Sequence, residues 1–369
     1  MSDRIRLGII GASPNVGWAY RSHLPAIAAS PEFELTGVCT TRMETAEESK
    51  RIYGARMAFD DYHTMLAHPE IDAVAVVLRV PTHYQITKDA LNAGKHVYTE
   101  WPLGKTTEEA IELAALAKEK GVRVIVGLQA RAAPAILHMK QLVEDGYVGE
   151  ILSCSMRLIR GGVLERVSGR TWQRDVELGA NTLTIAAGHS IDALSFVAGE
   201  FGEVSALVST QVDQWYETDT QEMRDVTSPD NILVHGRLAN GAVVSVHVAV
   251  NPWAGSGYVM EIYGRKGTLV ATSDDSPQIG DVFLTGAQGN DKLEDIGVPA
   301  SLTNVLEGMP SGSPKNVGQM YYQFGEAIKG ESANYPDFET AVDLHNLIDL
   351  SLIHISEPTR RYASSYAVF

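Results

Sequence analysis

The first residues with a chemical reading stand at the N-terminus. RIRLGII (4–10) is a short apolar run, followed by Gly11-Ala12-Ser13-Pro14-Asn15-Val16-Gly17 and then by a stretch, 17–29, with a helical period. Strand, glycine turn and helix in this order can hold a dinucleotide. The free amides and positive dipole end of the helix face a pyrophosphate, and glycine lets the backbone approach it closely. The loop departs from the standard G-x-G-x-x-G spacing: Ser13 holds a usual glycine position and the loop is one residue longer. Gly11, Ser13, Asn15, Val16 and Gly17 are the expected cofactor contacts, against the competing reading of a merely structural turn. A second strand, FELTGVCT (33–40), runs into Thr41 and Arg42 with no carboxylate to grip the adenosine ribose. Threonine hydroxyls plus Arg42 suit a 2′-phosphate, so NADP is expected in preference to NAD. The competing reading of Arg42 is a solvated residue at a helix start.

These residues need a sheet to hold them. TAEESKRIYG (45–54) reads as a helix closed by Gly54, and DAVAVVLRV (72–80) as a strand covered on both faces. After Pro81 comes a helix through Leu91, then the strand HVYTE (96–100), the amphipathic helix TTEEAIELAALAKEKG (106–121) and the strand VRVIVGL (122–128). This alternation predicts an α/β fold with a doubly wound parallel sheet. From Ile151 the character changes. ILSCSMRLI, VSALVSTQV, NILVHGRL, AVVSVHVAV, YVMEIYG, GTLVAT and DVFLTG are strand-like, with one helix near 182–198 and a hairpin signal at Asn240-Gly241. They predict a second α/β domain on a large open, mostly antiparallel sheet with one face exposed or used for assembly. The expected units are residues 1–128, 129–349 and a tail, 350–369.

The chain has 369 residues, 44% hydrophobic and 21% charged, which excludes disordered, collagen-like and coiled-coil classes. Thirty Lys and Arg against 46 Asp and Glu leave a formal charge of −16, so a nucleic-acid partner is not expected. Cys39 and Cys154 cannot form a disulfide framework or a zinc site, and His235, His247 and His345 lack ligand spacing, so no metal is expected. No apolar run approaches the roughly 20 residues of a membrane span, and the N-terminus enters a strand without a signal peptide. A cytoplasmic location is expected. The tail segment LSLIHISEPTR (350–360) resembles an in-frame translation of a DNA sequencing adapter. That would make it foreign, would point to environmental (metagenomic) or shotgun-derived DNA, and would mean that the native chain continued.

Several segments together resemble the Gfo/Idh/MocA oxidoreductase family: the N-terminal strand–turn–helix, VPTHYQI (80–86), AGKHVYTEWPL (93–103), ARAAPAIL with LVEDGYVGEI, and GHSIDALSF (188–196). The resemblance runs nearly to residue 349. Gly17-Trp18-Ala19 with His23-Leu24-Pro25-Ala26-Ile27, His83-Tyr84, Glu100-Trp101 and Gly188-His189-Ser190-Ile191-Asp192 are similar to a sub-branch that includes the fungal galactose-pathway repressor. The resemblance implies a Rossmann domain, a second domain whose open sheet often mediates dimers (hence a homo-oligomer, dimer or tetramer), and hydride transfer between NAD(P) and a sugar-like small molecule. It implies that Pro81, His83, Glu100, Trp101 and Gln129 face the cofactor.

The departures matter as much. Where the family carries Glu-Lys-Pro, with a lysine that helps move the substrate proton, this chain has Glu100-Trp101-Pro102; an indole cannot transfer that proton. Where the family carries Asp-x-x-x-His, Ile185 precedes His189. His189 remains as the acid/base, being titratable near neutrality, with Asp192 three residues on to orient it and Trp101 to stack on a nicotinamide or sugar face. Gln129 and Arg131 follow the last Rossmann strand, where substrate-facing groups emerge. Trp172, with Arg174 and Asp175, is a candidate pocket wall. For each residue the plainer reading is packing: a core histidine, a core indole, a surface arginine, an ordinary loop. The leading expectation is an NAD(P)-dependent oxidoreductase. The alternatives are a catalytically silent regulator acting through a protein partner, and a redox-neutral glycosidase or lyase that retains its dinucleotide.

Overall fold

A computed structural model of the chain describes residues 4–331 and 334–352. The apolar runs of the N-terminal third form β1 (Ile5–Ile10), β2 (Phe33–Cys39), β3 (Met57–Phe59), β4 (Ala73–Val76), β5 (His96–Glu100) and β6 (Val124–Gly127). All six are parallel, in the order β3-β2-β1-β4-β5-β6. Strands β4 and β6 are buried along their whole length, as strands covered by helices on both faces must be. The order reverses between β1 and β4, so their carboxyl ends open the crevice in which such sheets take ligands. The helix Thr107–Lys120 illustrates how local sequence sets the boundaries. The Thr106 hydroxyl accepts the Glu109 amide at its start, and Gly121 closes it in the left-handed region at φ 66°.

The first domain departs from the sequence reading at several points, the short helix Tyr62–Leu66 among them. The strand expected over 72–80 leaves the sheet after Val76, and Val80–Thr82 coil into a 3₁₀ turn, because Pro81 has no amide to give a ladder. The three-residue strand β3 was not anticipated; it is too short for a periodic signal.

The second domain supplies β7 (Ile151–Arg160), β8 (Glu165–Arg166), β9 (Phe201–Ser209), β10 (Gln214–Glu217), β11 (Glu222–Asp225), β12 (Asn231–Leu238), β13 (Val243–Val250), β14 (Gly257–Gly264), β15 (Gly267–Ser273), β16 (Phe283–Gln288) and β17 (Glu294–Asp295). Eight form one sheet, β17-β16-β15-β14-β7-β13-β12-β9, antiparallel except for the β7–β13 pair. The hairpin at Asn240-Gly241 joins β12 to β13, with Gly241 at φ 91°. A small sheet, β11-β10-β8, stands apart from it. One face of the large sheet is covered by the helices Pro134–Glu144 and Gly188–Ala198; the other leaves Leu207, Leu233 and Phe283 exposed along one cross-strand row.

The helix Ser313–Lys329 belongs to the second domain by sequence position but packs on the first. Its Tyr321 and Phe324 share a core with Ile9, Phe33 and Tyr98. The last helix, Phe338–Leu352, packs on Thr107–Lys120, and the Pro336 carbonyl accepts the Val126 amide at the β6 edge (2.9 Å). Beyond Leu352 the adapter-like tail lies outside the described residues. No helix among the described residues is long and apolar enough to cross a membrane.

Gly11 holds β1 to the sheet at the crevice. At φ +93° a Cβ on it would stand 2.2 Å from the Val77 carbonyl oxygen. Gly11→Ala is therefore expected to lower the melting temperature by several degrees, in line with about 1–3 kcal/mol of backbone strain, and to abolish dinucleotide binding. Differential scanning calorimetry and NADH fluorescence titration check both.

Candidate cofactor and substrate cleft

The glycine turn is tied to its neighbours at both ends. The amides of Gly11 and Ala12 both donate to the Cys39 carbonyl at the end of β2 (2.9 and 3.1 Å), and the Tyr53 hydroxyl donates to the Pro14 carbonyl (3.2 Å). Ser13 is half-buried, while Asn15 and Val16 are exposed. The chain then passes through a π-helical turn, Ala19–His23, into the α-helix Leu24–Ala28. At the end of β2 the hydroxyls of Thr40 and Thr45 lie 2.6 Å apart beneath the Arg42 carbonyl. Thr41 and Arg42 point into solvent, and Arg42 has no ion-pair partner among the described residues.

Under the crevice lies a buried carboxylate. Glu100, the last residue of β5, accepts hydrogen bonds from Gln129 Nε2 at both oxygens (2.9 and 2.8 Å) and from His23 Nε2 (2.9 Å). His23 Nδ1 stands 2.8 Å from the Tyr321 hydroxyl, on the returning C-terminal helix. Burial alone would push the Glu100 pKa up; the hydrogen bonds and charge from His23, with Gln129, outweigh it and hold the carboxyl below its ordinary value. Gln129 Oε1 is buried without a partner among the described residues. His83 lines the same cleft. Its Nδ1 is 2.7 Å from the Pro102 carbonyl and its Nε2 3.1 Å from that of Leu78, so it clamps the exits of β4 and β5.

Trp101, only 4% exposed, is fixed from the second domain. Its indole Nε1 donates to the Thr184 carbonyl (2.8 Å). Thr184 sits in a π-helical turn, Thr182–Ala187, which opens the sequence-predicted helix at its start. Asn181 caps that turn: its side chain accepts the Leu183 and Thr184 amides, and Thr184 Oγ1 accepts its own amide in return. Only glycine fits at 188, since a Cβ there would stand 2.7 Å from Trp101 Nε1. The His345 ring lies 4.7 Å from the indole.

His189 follows, 5% exposed, with Nδ1 sealed and unpartnered among the described residues. Burial pushes its pKa down to about 4, against a smaller opposing pull from the Glu100 charge. The imidazole is neutral at physiological pH, and Nε2 is the nitrogen available to the cleft. His189, Glu100, Trp101 and Gln129 line one cleft of about 330 Å³, with Trp18 and Trp172 on its walls.

Two residues are placed elsewhere than the sequence reading expects. Asp192 does not orient His189: Arg131 grips its carboxylate with Nε at 2.9 and 3.0 Å and Nη2 at 2.6 Å. Arg131 in turn lies over the Phe196 ring (5.0 Å), and the pair lines a separate cavity with Glu200 and Asp343. A buried carboxylate needs a cation in contact, and Arg131 on the neighbouring segment supplies it. The cleft also contains residues that sequence reasoning passed over: Arg21, Arg160, Arg170, Gln173 and Gln278. They are scattered over some 250 positions with no common spacing, so no sequence signal gathers them. Among the described residues no cluster of three or more His, Cys, Asp or Glu could hold a metal.

Comparison with known proteins agrees with this architecture. Residues 5–128 match the model of the oxidoreductase family with NAD-binding Rossmann fold (Gfo/Idh/MocA), and residues 134–273 match the Gal80p C-terminal domain. The dehydrogenase aclE of Aspergillus oryzae is 31% identical over 283 residues, 73% of this chain and 77% of that protein. The galactose/lactose metabolism regulatory protein GAL80 of Saccharomyces cerevisiae is 27% identical over 314 residues, 78% and 72% of the two chains. Levoglucosan dehydrogenase of Pseudarthrobacter phenanthrenivorans is 27% identical over 290 residues, 73% of each chain. A solved levoglucosan dehydrogenase complex with NADH and levoglucosan has the same fold at TM-score 0.82 and 23% identity, covering 96% and 98% of the two chains.

Burial also depresses His345 to about 4. Both imidazoles are thus neutral in the folded protein but take up a proton near pH 6.5 in the unfolded chain. Their contribution to stability is complete above about pH 7 and is lost as the pH falls from 6.5 toward 4, by on the order of 3 kcal/mol for each at most. Thermal melts at pH 7.5 and pH 5 should show this decline, and His345→Asn should remove about half of it.

Proposed function

We propose that this chain, which belongs to the Gfo/Idh/MocA oxidoreductase family, is an NAD(P)-dependent oxidoreductase acting on a hydroxyl or carbonyl of a sugar-like small molecule. The observation that carries the reading is the neutral His189, its Nδ1 without a partner among the described residues, in the same cleft as Glu100 and Trp101 at the carboxyl end of β5. The placement of the glycine turn supports a dinucleotide: it leaves β1 where the strand order reverses, with Gly11 at φ +93° packed on the Val77 carbonyl, and Gln129 Oε1, on the cleft wall, has no partner among the described residues. Gly11, Ser13, Asn15, Val16 and Gly17 would hold its pyrophosphate, and Thr41 with Arg42 the adenosine ribose end. A bound nicotinamide supplies the hydride chemistry.

The protein's own groups have separate tasks. His189 Nε2, unprotonated at neutral pH, takes the hydroxyl proton in the oxidising direction. The fixed charge of Glu100 in the same floor stabilises the imidazolium that forms. Trp101, locked by Thr184 and Gly188, forms a rigid wall that keeps water out of the reacting pocket. NADP is favoured over NAD because the exposed Arg42 has no ion-pair partner among the described residues. The exposed cross-strand pair Leu207 and Leu233 on the uncovered face of the large sheet supports a homo-oligomer built on that face, and the free buried cysteines Cys39 and Cys154 suit a reducing, cytoplasmic setting.

A second reading has its own observation. Trp101 stands where the family resemblance puts a lysine, and Ile185 where it puts an aspartate, which fits a dinucleotide-binding regulator of the kind represented by GAL80.

Fluorescence titration with NADPH and NADH, followed by a panel of sugars and carbonyl compounds at the nicotinamide absorbance, separates the two. Binding with turnover supports the oxidoreductase, and His189→Ala should then lower kcat by roughly 100-fold or more at pH 7.5. Tight binding with no turnover would move the regulator ahead, and no binding of either nucleotide sinks both. In the same titration Arg42→Ala should weaken NADPH by about tenfold, the loss of one charge-assisted contact, and leave NADH within twofold.

A further inference from the structure

The wall of the cleft built by the second domain gathers positive charge in an acidic protein. Arg160 ends β7, Gly161 and Gly162 follow it, Arg166 lies in β8, and Arg170 follows in the short helix Ser168–Thr171. Arg160, Arg166 and Arg170 line one cavity of about 180 Å³, together with Gln173, Asn181 and Trp215. That cavity is continuous with the main cleft: Arg160, Arg170, Gln173, Ile185 and Ala186 line both, and Arg21 joins from the first domain.

Very little answers this charge. Among the described residues Arg160 has one carboxylate partner, Asp275 (3.1 Å). Arg166 has none: its Nη1 reaches only Gln173 Oε1 at 3.4 Å, its Nε is buried and unpartnered, and its guanidinium lies 4.1 Å over the Trp215 ring. Arg170 and Arg21 have no ion pair among the described residues either. Burial, with the like charges of Arg170 and Arg160, brings Arg166 down to about 10, and burial with Arg21 and Arg160 lowers Arg170 as well. In a chain with 46 acidic residues against 30 Lys and Arg, the half-buried Arg166, without a carboxylate partner among the described residues and with Arg160 and Arg170 lining the same cavity, is an arrangement that folding alone disfavours. An anion in the cavity would relieve both the desolvation and the mutual repulsion, and the planar forks of arginine match oxyanions bidentately.

We propose that Arg160, Arg166 and Arg170 form a receptor for an oxyanion, phosphate or carboxylate, carried by the sugar-like substrate. The proposal rests on the oxidoreductase reading for the word substrate and on the arginine geometry for the anion. The cofactor's own phosphates are not the intended occupant: every residue lining the arginine cavity comes from position 160 or later, none from the glycine turn at 11–17 or from Arg42. Ile185, four residues before His189, forms part of the cavity wall, so a substrate anchored there would extend its other end toward the imidazole.

The test uses NADH-saturated full-length protein and calorimetric titration with a hexose 6-phosphate, a hexuronate and a neutral hexose. At least one anionic sugar should bind tenfold or more tightly than the neutral one, and the tighter of the two identifies the group. Arg170→Gln, at the exposed mouth, and Arg166→Gln should each remove most of that preference while NADH affinity stays within twofold; a melting curve confirms that each variant is folded. A neutral hexose bound as tightly as the anionic ones overturns the proposal, and so does a variant that weakens NADH and not the sugar. Turnover measured alongside keeps the two readings apart. Oxidation of neutral sugars alone retains the oxidoreductase and removes the anion receptor. Arginine-dependent anion binding without turnover does the reverse.

Discussion

The cleft is organised around one buried negative charge. Glu100 ends β5 almost wholly out of water, and an isolated carboxylate in such a place would protonate or unfold its surroundings. It stays ionised because His23 from the helix after the glycine turn and Gln129 from the turn after β6 donate to it, while Tyr321 from the C-terminal helix holds the far side of His23. Four segments distant in sequence are thereby fastened to one point. The glycine turn, the carboxyl ends of the central strands and the returning helix Ser313–Lys329 take their relative positions from that network as much as from apolar packing. The aromatic contacts of Tyr98 and Phe33 with Tyr321 reinforce it (5.1 and 5.5 Å between ring centroids).

Built on that floor, the two domains meet through Trp101. The indole is almost wholly buried and is held at its nitrogen. Its Nε1 finds a carbonyl only because the π-helical turn at Thr182–Ala187 directs Thr184 toward it, and its ring fits only because residue 188 has no side chain. The same turn carries the chain into His189, whose neutrality follows from burial. The cleft therefore holds a neutral imidazole, a buried carboxylate and the arginines Arg21, Arg160 and Arg170 on its walls.

Much of this was legible in the chain. The parallel sheet, the helices between its strands and the mostly antiparallel second sheet follow from apolar period, from capping residues such as Thr106 and from punctuation at Gly54, Gly121 and Asn240-Gly241, and the structure has them. The exceptions are instructive: the strand through Val80 stops early because proline cannot donate, and β3 is too short to show a period. The sequence also placed Glu100, Trp101, Gln129 and His189 among the candidate residues, and the fold gathers them in one cleft. It misjudged Asp192, because three residues along a helix states proximity to His189 but not which cation lies closer across the interface.

Hydrophobic period, chain-breaking residues and the need for positive φ are local properties, and a linear sequence records them directly. On that basis the chain alone determined its two-domain α/β architecture and the glycine turn that follows β1. Ion pairing is different, since Coulomb and hydrogen-bond energies depend on separations of a few ångströms between residues far apart in the chain. The tertiary structure alone decided that Arg131 pairs with Asp192, that Tyr321 supports His23 across 298 positions, and that Arg160, Arg166 and Arg170 face one another around a cavity next to His189.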